Sequence, residues 1–328
     1  MSQLLFLIAS HTNPHQVLRL VKTLKSGSPD CQIVIHHDRS KSTLDSAALA
    51  PFKGVHIFEN PIVATWGEFS VVELELRCID WILKNSIPFD WLTLLSGQDY
   101  PIQPIQKMEQ FLSTTKHDGF VEHFPAFKPS EMMNNWHKDI GTERYCYRYY
   151  PLPSSLKWIV YKLYRVVDWQ KLIRVRAGKF GAKLAVRRRS TPFTDDFECY
   201  AGSQWHTLSY RCVDYIHEFV QNNSDFVNHY RTTMIPDESF FQTILLNNHS
   251  FNICPDNLRY ISWQPPYPAI MQASDFEPLV HSGKFFARKF DDTVDDRIFD
   301  LLDRSFTLDS DQDCGNFVAE RSKPAAPI

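Results

Sequence analysis

Four apolar runs in the first hundred residues limit the fold most strongly: "LLFLIAS" (4–10), "CQIVIHHD" (31–38), "GVHIFE" (54–59) and "DWLTLLSGQD" (90–99). Each is nearly continuous rather than alternating, as expected of strands buried on both faces. Helical signals separate them. Pro14 opens a span with Val17, Leu20, Val21 and Leu24 on one face, and "FSVVELELRCIDWILKN" (69–85) repeats Val72, Leu76, Ile79 and Leu83 at helical spacing. Buried strands alternating with amphipathic helices predict an α/β fold with a mixed, mainly parallel sheet flanked by helices. In such sheets ligands gather beyond the C-terminal strand ends. Here those ends carry Ser10 and His11, His37 and Asp38, and the turn from Ser96 to Asp99.

The chain has 328 residues, 43% hydrophobic, enough for a sizeable core. We expect a single domain over 1–308, interrupted by an insertion at about 125–195 and followed by a polar, disordered tail at 309–328. A net charge of −3 gives no general attraction to nucleic acid, which is excluded as a partner. The seven cysteines are odd in number and form no Cys-x-x-Cys pair, so buried, reduced thiols are expected. The N-terminal run lacks a basic flank and a cleavage site, and no apolar run reaches about 18 residues. A cytoplasmic location without signal peptide or transmembrane segment is the expectation.

The insertion is rich in Tyr, Trp, Arg and Lys. Within 154–176, Leu156, Ile159, Val160, Leu163, Val166 and Val167 form a helical stripe, followed by the basic "RAGKFGAKLAVRRRS" (176–190). The insertion is therefore expected to be helical and basic. It either packs on the domain with a solvated basic end, or lies over an acceptor cleft or on the inner membrane face through 154–189. Beyond it, "DESFFQTILLNN" reads as a helix opened by its acids, "NLRYISW" as a strand, "SDFEPLVHSG" as a helix with a serine cap, and "KFFARKFD" as an extended segment.

The chemistry-bearing motifs each allow two readings. Asp237 and Glu238, after Pro236, suit the first turn of a helix; one of them could instead be a catalytic base. Arg288 and Lys289 are either solvated cations or, crowded by aromatics, a partly buried pair that needs an anionic partner such as a diphosphate. Asp99 belongs to an ordinary turn or to a ligand-facing strand end. His11, His36 and His37 have no companions at metal-ligand spacing, so no metal is expected. "DSDQDCGNFVAE" (309–320) imitates a calcium loop but has Cys314 where glycine is required, and no apolar helix follows.

Taken in order, "LIASH", "IHHDRS", "TWGEFSVVE", "LLSGQDYPI", "GSQWHTLS", "IPDESFFQTIL", "NLRYISW" and "FFARKFD" resemble the core-2/I-branching glycosyltransferase family, which includes the peptide O-xylosyltransferases. The resemblance covers most of 4–291 except the insertion. It implies a GT-A-type fold and inverting, metal-independent transfer of xylose or N-acetylglucosamine from a UDP-sugar to a hydroxyl of a glycan or glycoconjugate, with no cofactor. By the family pattern Glu238 is the catalytic base, with Asp237 left as the helix cap. Arg288 and Lys289 hold the diphosphate, Asp38, Asp99 and His11 belong to the donor site, and Trp205 and Trp263 are sugar-side or acceptor-side aromatics. The sequence departs from the pattern at Pro266, where the branching enzymes carry a further diphosphate-binding arginine that Arg259 cannot be assumed to replace. It also lacks the disulfide-rich pattern, anchor and stem of secretory members, so a bacterial-type enzyme is expected. The alternative is a non-catalytic carbohydrate- or nucleotide-binding protein on the same fold.

Overall fold

The computed structural model describes residues 2–128, 139–153, 172–178, 181–264 and 267–309. The four apolar runs form β1 (Leu4–Ser10), β2 (Gln32–His37), β3 (Val55–Ile57) and β4 (Trp91–Ser96). Neighbouring side chains on a strand face opposite ways, and both faces are covered. Leu4, Phe6 and Ile8 of β1 join Val17, Leu20, Val21 and Leu24 of the helix Pro14–Gly27. Leu5 and Leu7 join Val72, Ile79 and Ile82 of the helix Ser70–Lys84. Two-sided burial is why these runs show no alternation. On the second helix, Leu76 and Leu83 are only partly buried, and Glu75 takes an inward position. Its carboxylate is satisfied by His206 Nε2 at 2.7 Å.

Downstream lie β5 (Asp99–Pro101), β6 (Gly119–Pro125), β7 (Tyr147–Leu152), β8 (Ile173–Gly178), β9 (Gly181–Arg187) and β10 (Tyr200–Ser209). Five short strands follow: β11 (Ile253–Cys254), β12 (Arg259–Ile261), β13 (Trp263–Gln264), β14 (Tyr267–Pro268) and β15 (Phe286–Arg288). The central sheet has the order β11-β6-β10-β4-β1-β2-β3. Strand β10 is antiparallel to β4 and β6, and the other pairs are parallel. The chain leaves β1 on one side through β2 and β3 and returns on the other at β4, so β1 is the switch point where ligand crevices form. A second sheet, β12-β15-β5, sits at this edge.

Within the insertion, the described residues form the short helix Ile140–Tyr145 and a three-stranded antiparallel sheet, β7-β9-β8, whose last two strands take in most of the basic stretch. The basic stretch is not simply solvated. Lys183 is 6% exposed and its ammonium lies 3.2 Å from Glu68 Oε1. Arg188 donates to the carbonyls of His229 at 2.8 Å and Tyr147 at 3.4 Å, and to the Thr232 hydroxyl. The stripe Leu156 to Val167, Pro266 and the tail from 310 lie outside the described residues. The last helix, Arg297–Asp309, buries Ile298, Phe299 and Leu302 in the first core cluster. Of the six described cysteines, four are buried and all are free. Among the described residues no helix is long and apolar enough to cross a membrane.

Candidate active site

The strand ends expected to bind a ligand do converge. The Asp38 amide donates to the Ser10 carbonyl at 2.8 Å and the Gly97 amide to the Ala9 carbonyl at 3.0 Å, so the turns after β1, β2 and β4 form one edge. His11 is exposed there. The His37 ring is fixed between the Ser10 hydroxyl at 2.9 Å and the Ser42 carbonyl at 2.9 Å. Burial raises the Asp38 carboxyl, but hydrogen bonds from Ser40 and the neighbouring imidazoles of His11 and His36 outweigh it, holding Asp38 below its ordinary value.

Next to this edge the small sheet gathers charge. Asp99 of β5 pairs in register with Arg288 of β15, and Arg259 of β12 with Phe286. Asp99 is fully buried and accepts the Ser96 amide at 2.5 Å; its other oxygen, 3.7 Å from Arg288 Nε, has no hydrogen-bond partner. Two guanidiniums lie over the Trp205 ring, with Arg288 4.0 Å and Arg259 4.8 Å from its centroid. Trp205 is 8% exposed, so its face is occupied by cations instead of being open to an acceptor sugar. Arg259 donates to the Leu94 carbonyl at 2.8 Å, but its Nε and Nη1 have no hydrogen-bond partner, nor does Arg288 Nε. Burial pushes Arg259 down to about 10 while Asp99 holds it up; Arg288 is lowered by burial against the same carboxylate. Lys289, bonded to Arg288 through a cis peptide, is half-buried, and burial and the Arg288 charge lower it despite Asp291 and Asp99. Trp263 stands apart on the β13–β14 ribbon, 61% exposed.

Glu238 occupies a different local setting from the one expected. Pro236–Glu238 is a 3₁₀ turn that precedes the helix Phe240–Leu246, whose N-cap is Ser239. Neither element has a side-chain cap hydrogen bond, so Asp237 is not the cap. It is 2% exposed, one of its oxygens has no hydrogen-bond partner, and burial, with the Glu238 charge adding to it, pushes its carboxyl up to about 7. Ile235 enters the turn at a φ of 52°, costly for a β-branched residue. Its amide donates to the Gly67 carbonyl at 3.1 Å, and the Tyr145 hydroxyl donates to its carbonyl at 3.4 Å. Held this way, Glu238 turns outward, 30% exposed, with Oε2 2.6 Å from Arg144 Nη1.

Three side chains absent from the sequence reading complete the floor. Arg144, from the insertion helix Ile140–Tyr145, clamps Glu238. Glu122 of β6 is solvent-accessible but walled by protein; that enclosure and the charges of Glu238 and Asp256 raise its carboxyl, against Lys284. Asn257 donates to Glu122 at 3.0 Å and accepts the Arg259 amide at 3.0 Å, linking the carboxylates to the guanidiniums. A Cβ at Gly202 would lie 1.7 Å from the Glu122 carbonyl oxygen, so only glycine lets β10 approach here, just before its bulge toward Trp205. The one available signal was Glu122 in "FVEHFP", a carboxylate closing an apolar strand; nothing near Arg144 marks it. A cavity of about 390 Å³ lined by Ile102, Lys107, Phe276 and Phe306 contains none of these groups. Among the described residues no three His, Cys, Asp or Glu side chains converge to hold a metal ion.

A mixed sheet with polar groups on the carboxyl edge of its switch strand, and a carboxylate linked to buried cations, defines an α/β protein with a ligand crevice at the switch point. Residues 6–282 match the family described as Core-2/I-Branching enzyme, and the chain belongs to that family. It is 26% identical over 295 residues to the beta-glucuronosyltransferase GlcAT14A of Arabidopsis thaliana, covering 84% of this chain and 58% of that one. It is 22% identical over 313 residues to the xylosyltransferase oxt of Drosophila pseudoobscura pseudoobscura, covering 86% of this chain and 31% of that one. The solved galactosyltransferase LgtC, in complex with donor and acceptor sugar analogs, matches 76% of this chain and 72% of that one at 9% identity and a TM-score of 0.36, a level at which likeness carries no weight.

Proposed function

We propose that this protein is an inverting, metal-independent glycosyltransferase that moves a sugar from UDP to a hydroxyl of a glycan or glycoconjugate. The observation that carries this reading is the charge layout. An outward carboxylate, Glu238, is clamped at 2.6 Å by Arg144, while two guanidiniums and Lys289 gather around a single buried carboxylate, Asp99. Buried positive charge in excess of its partners is costly until an anion binds, and a diphosphate has the matching charge. In this reading Asp38 and His11 lie on the uridine side. Glu238 takes the acceptor proton as the acceptor oxygen forms its bond to the anomeric carbon. The bond from that carbon to the diphosphate breaks, and UDP leaves with the electron pair beside Arg288 and Lys289. One displacement from the opposite face inverts the anomeric centre. Trp263, exposed beside β12, is the remaining aromatic for the acceptor.

Xylose and N-acetylglucosamine are the donor sugars expected from the sequence, and the glucuronosyltransferase relative adds glucuronic acid. The test is UDP release from these three UDP-sugars, with and without EDTA. Release from at least one of them is expected to survive EDTA, and Glu238→Gln is expected to lower turnover at least 100-fold while leaving UDP affinity within about threefold. Normal turnover in that variant would remove Glu238 from the role of base. Loss of activity in EDTA, restored by a divalent cation, would overturn the metal-independent mechanism.

A further inference from the structure

Arg259 is too deep to be a simple substrate contact: it is 5% exposed, and its Nη2 is tied to the Leu94 carbonyl at 2.8 Å. Two of its nitrogens nonetheless have no hydrogen-bond partner, and its guanidinium lies 4.8 Å from the centroid of the same indole that carries Arg288 at 4.0 Å. A single carboxylate, Asp99, serves both arginines, and one of its oxygens is already taken by the Ser96 amide. With one cation, Asp99 would neutralise the site and draw Arg288 into a closed ion pair. With two, one positive charge remains uncompensated.

We propose that Arg259 is a positioning residue for the leaving-group site, acting through Trp205 and Asp99 to keep the Arg288 guanidinium available to a diphosphate. This rests on the glycosyltransferase reading above. The field of a buried cation acts over several ångströms in a low-dielectric setting, and the indole fixes the separation of the two guanidiniums by stacking against both. Arg259 therefore acts on the charge of the ligand and not on its nucleoside.

The experiment is calorimetric binding of UDP and of uridine to the full chain and its variants, with thermal melting to check folding. Arg259→Met, which keeps the stem and removes the charge, is expected to weaken UDP at least tenfold and leave uridine within about twofold; Arg259→Lys is expected to recover most of the loss. Trp205→Leu, which removes the stacking face, is expected to reproduce the UDP-selective loss, and Trp205→Phe to preserve most of the affinity. These two remain informative if Arg259→Met does not fold. Equal losses for UDP and uridine, or an unchanged UDP affinity in Arg259→Met, would overturn the inference while the glycosyltransferase reading stands. A wild-type protein that binds UDP no better than uridine would sink both.

Discussion

Asp237→Asn is expected to make the protein more stable above neutral pH. The Asp237 side chain is 2% exposed, one oxygen has no hydrogen-bond partner, and burial, with Glu238 next to it, raises its carboxyl from 3.8 to about 7. In the unfolded chain this group ionises near its ordinary value, whereas in the folded protein it keeps its proton until about pH 7. Between those values the folded state binds more protons than the unfolded state, so stability falls as pH rises and the penalty is complete above about 7. At about 1.4 kcal/mol per pH unit the span is worth up to about 4 kcal/mol, and an effect of about 2–4 kcal/mol is expected. Asparagine, nearly the same shape and never charged, removes the penalty. Urea denaturation of both proteins from pH 4 to 9 measures it: the stability difference in favour of Asp237→Asn should grow steadily to about pH 7 and then level off. A difference that stays flat across that range, or that grows as pH falls, would refute the reasoning.

Two other perturbations test the insertion. Arg144→Met is expected to lower turnover about 100-fold through loss of the clamp on Glu238, with UDP affinity little changed; steady-state kinetics with unchanged turnover would dismiss the clamp. Arg188→Ala removes hydrogen bonds to the carbonyls of His229 and Tyr147 and to the Thr232 hydroxyl, and is expected to cost about 2–3 kcal/mol. A cost below about 0.5 kcal/mol in denaturant unfolding would mean that the basic stretch is solvated after all.

Much of the sheet was legible because burial on two faces leaves a direct trace in sequence. A run such as "LLFLIAS" can be continuous only if both sides of β1 are covered, and they are. The strand-end sites followed from the same logic, since Ser10, Asp38 and Gly97 occupy neighbouring parallel strands. The basic stretch was less legible, because whether a cation is solvated depends on partners that its own neighbours in sequence do not supply. Lys183 is buried and Arg188 half-buried against partners far away in sequence, Glu68 and the His229–Thr232 segment, which no local pattern reveals. Asp237 was misjudged for a related reason: two adjacent acids look like a cap until the backbone turns one inward and the other outward.

By itself, the sequence determined the α/β class, the polar strand ends, and the candidate residues Glu238, Arg288 and Lys289, because periodicity and short motifs are local properties of the chain. Only the tertiary structure decided what these residues face. Arg144 meets Glu238 across 94 positions, and Asp99, Trp205, Arg259 and Arg288 come from four separate strands or turns. Charge and cation–aromatic contact act through space, over a few ångströms, so the identity of a partner is fixed by the packing of the sheets and not by spacing along the chain.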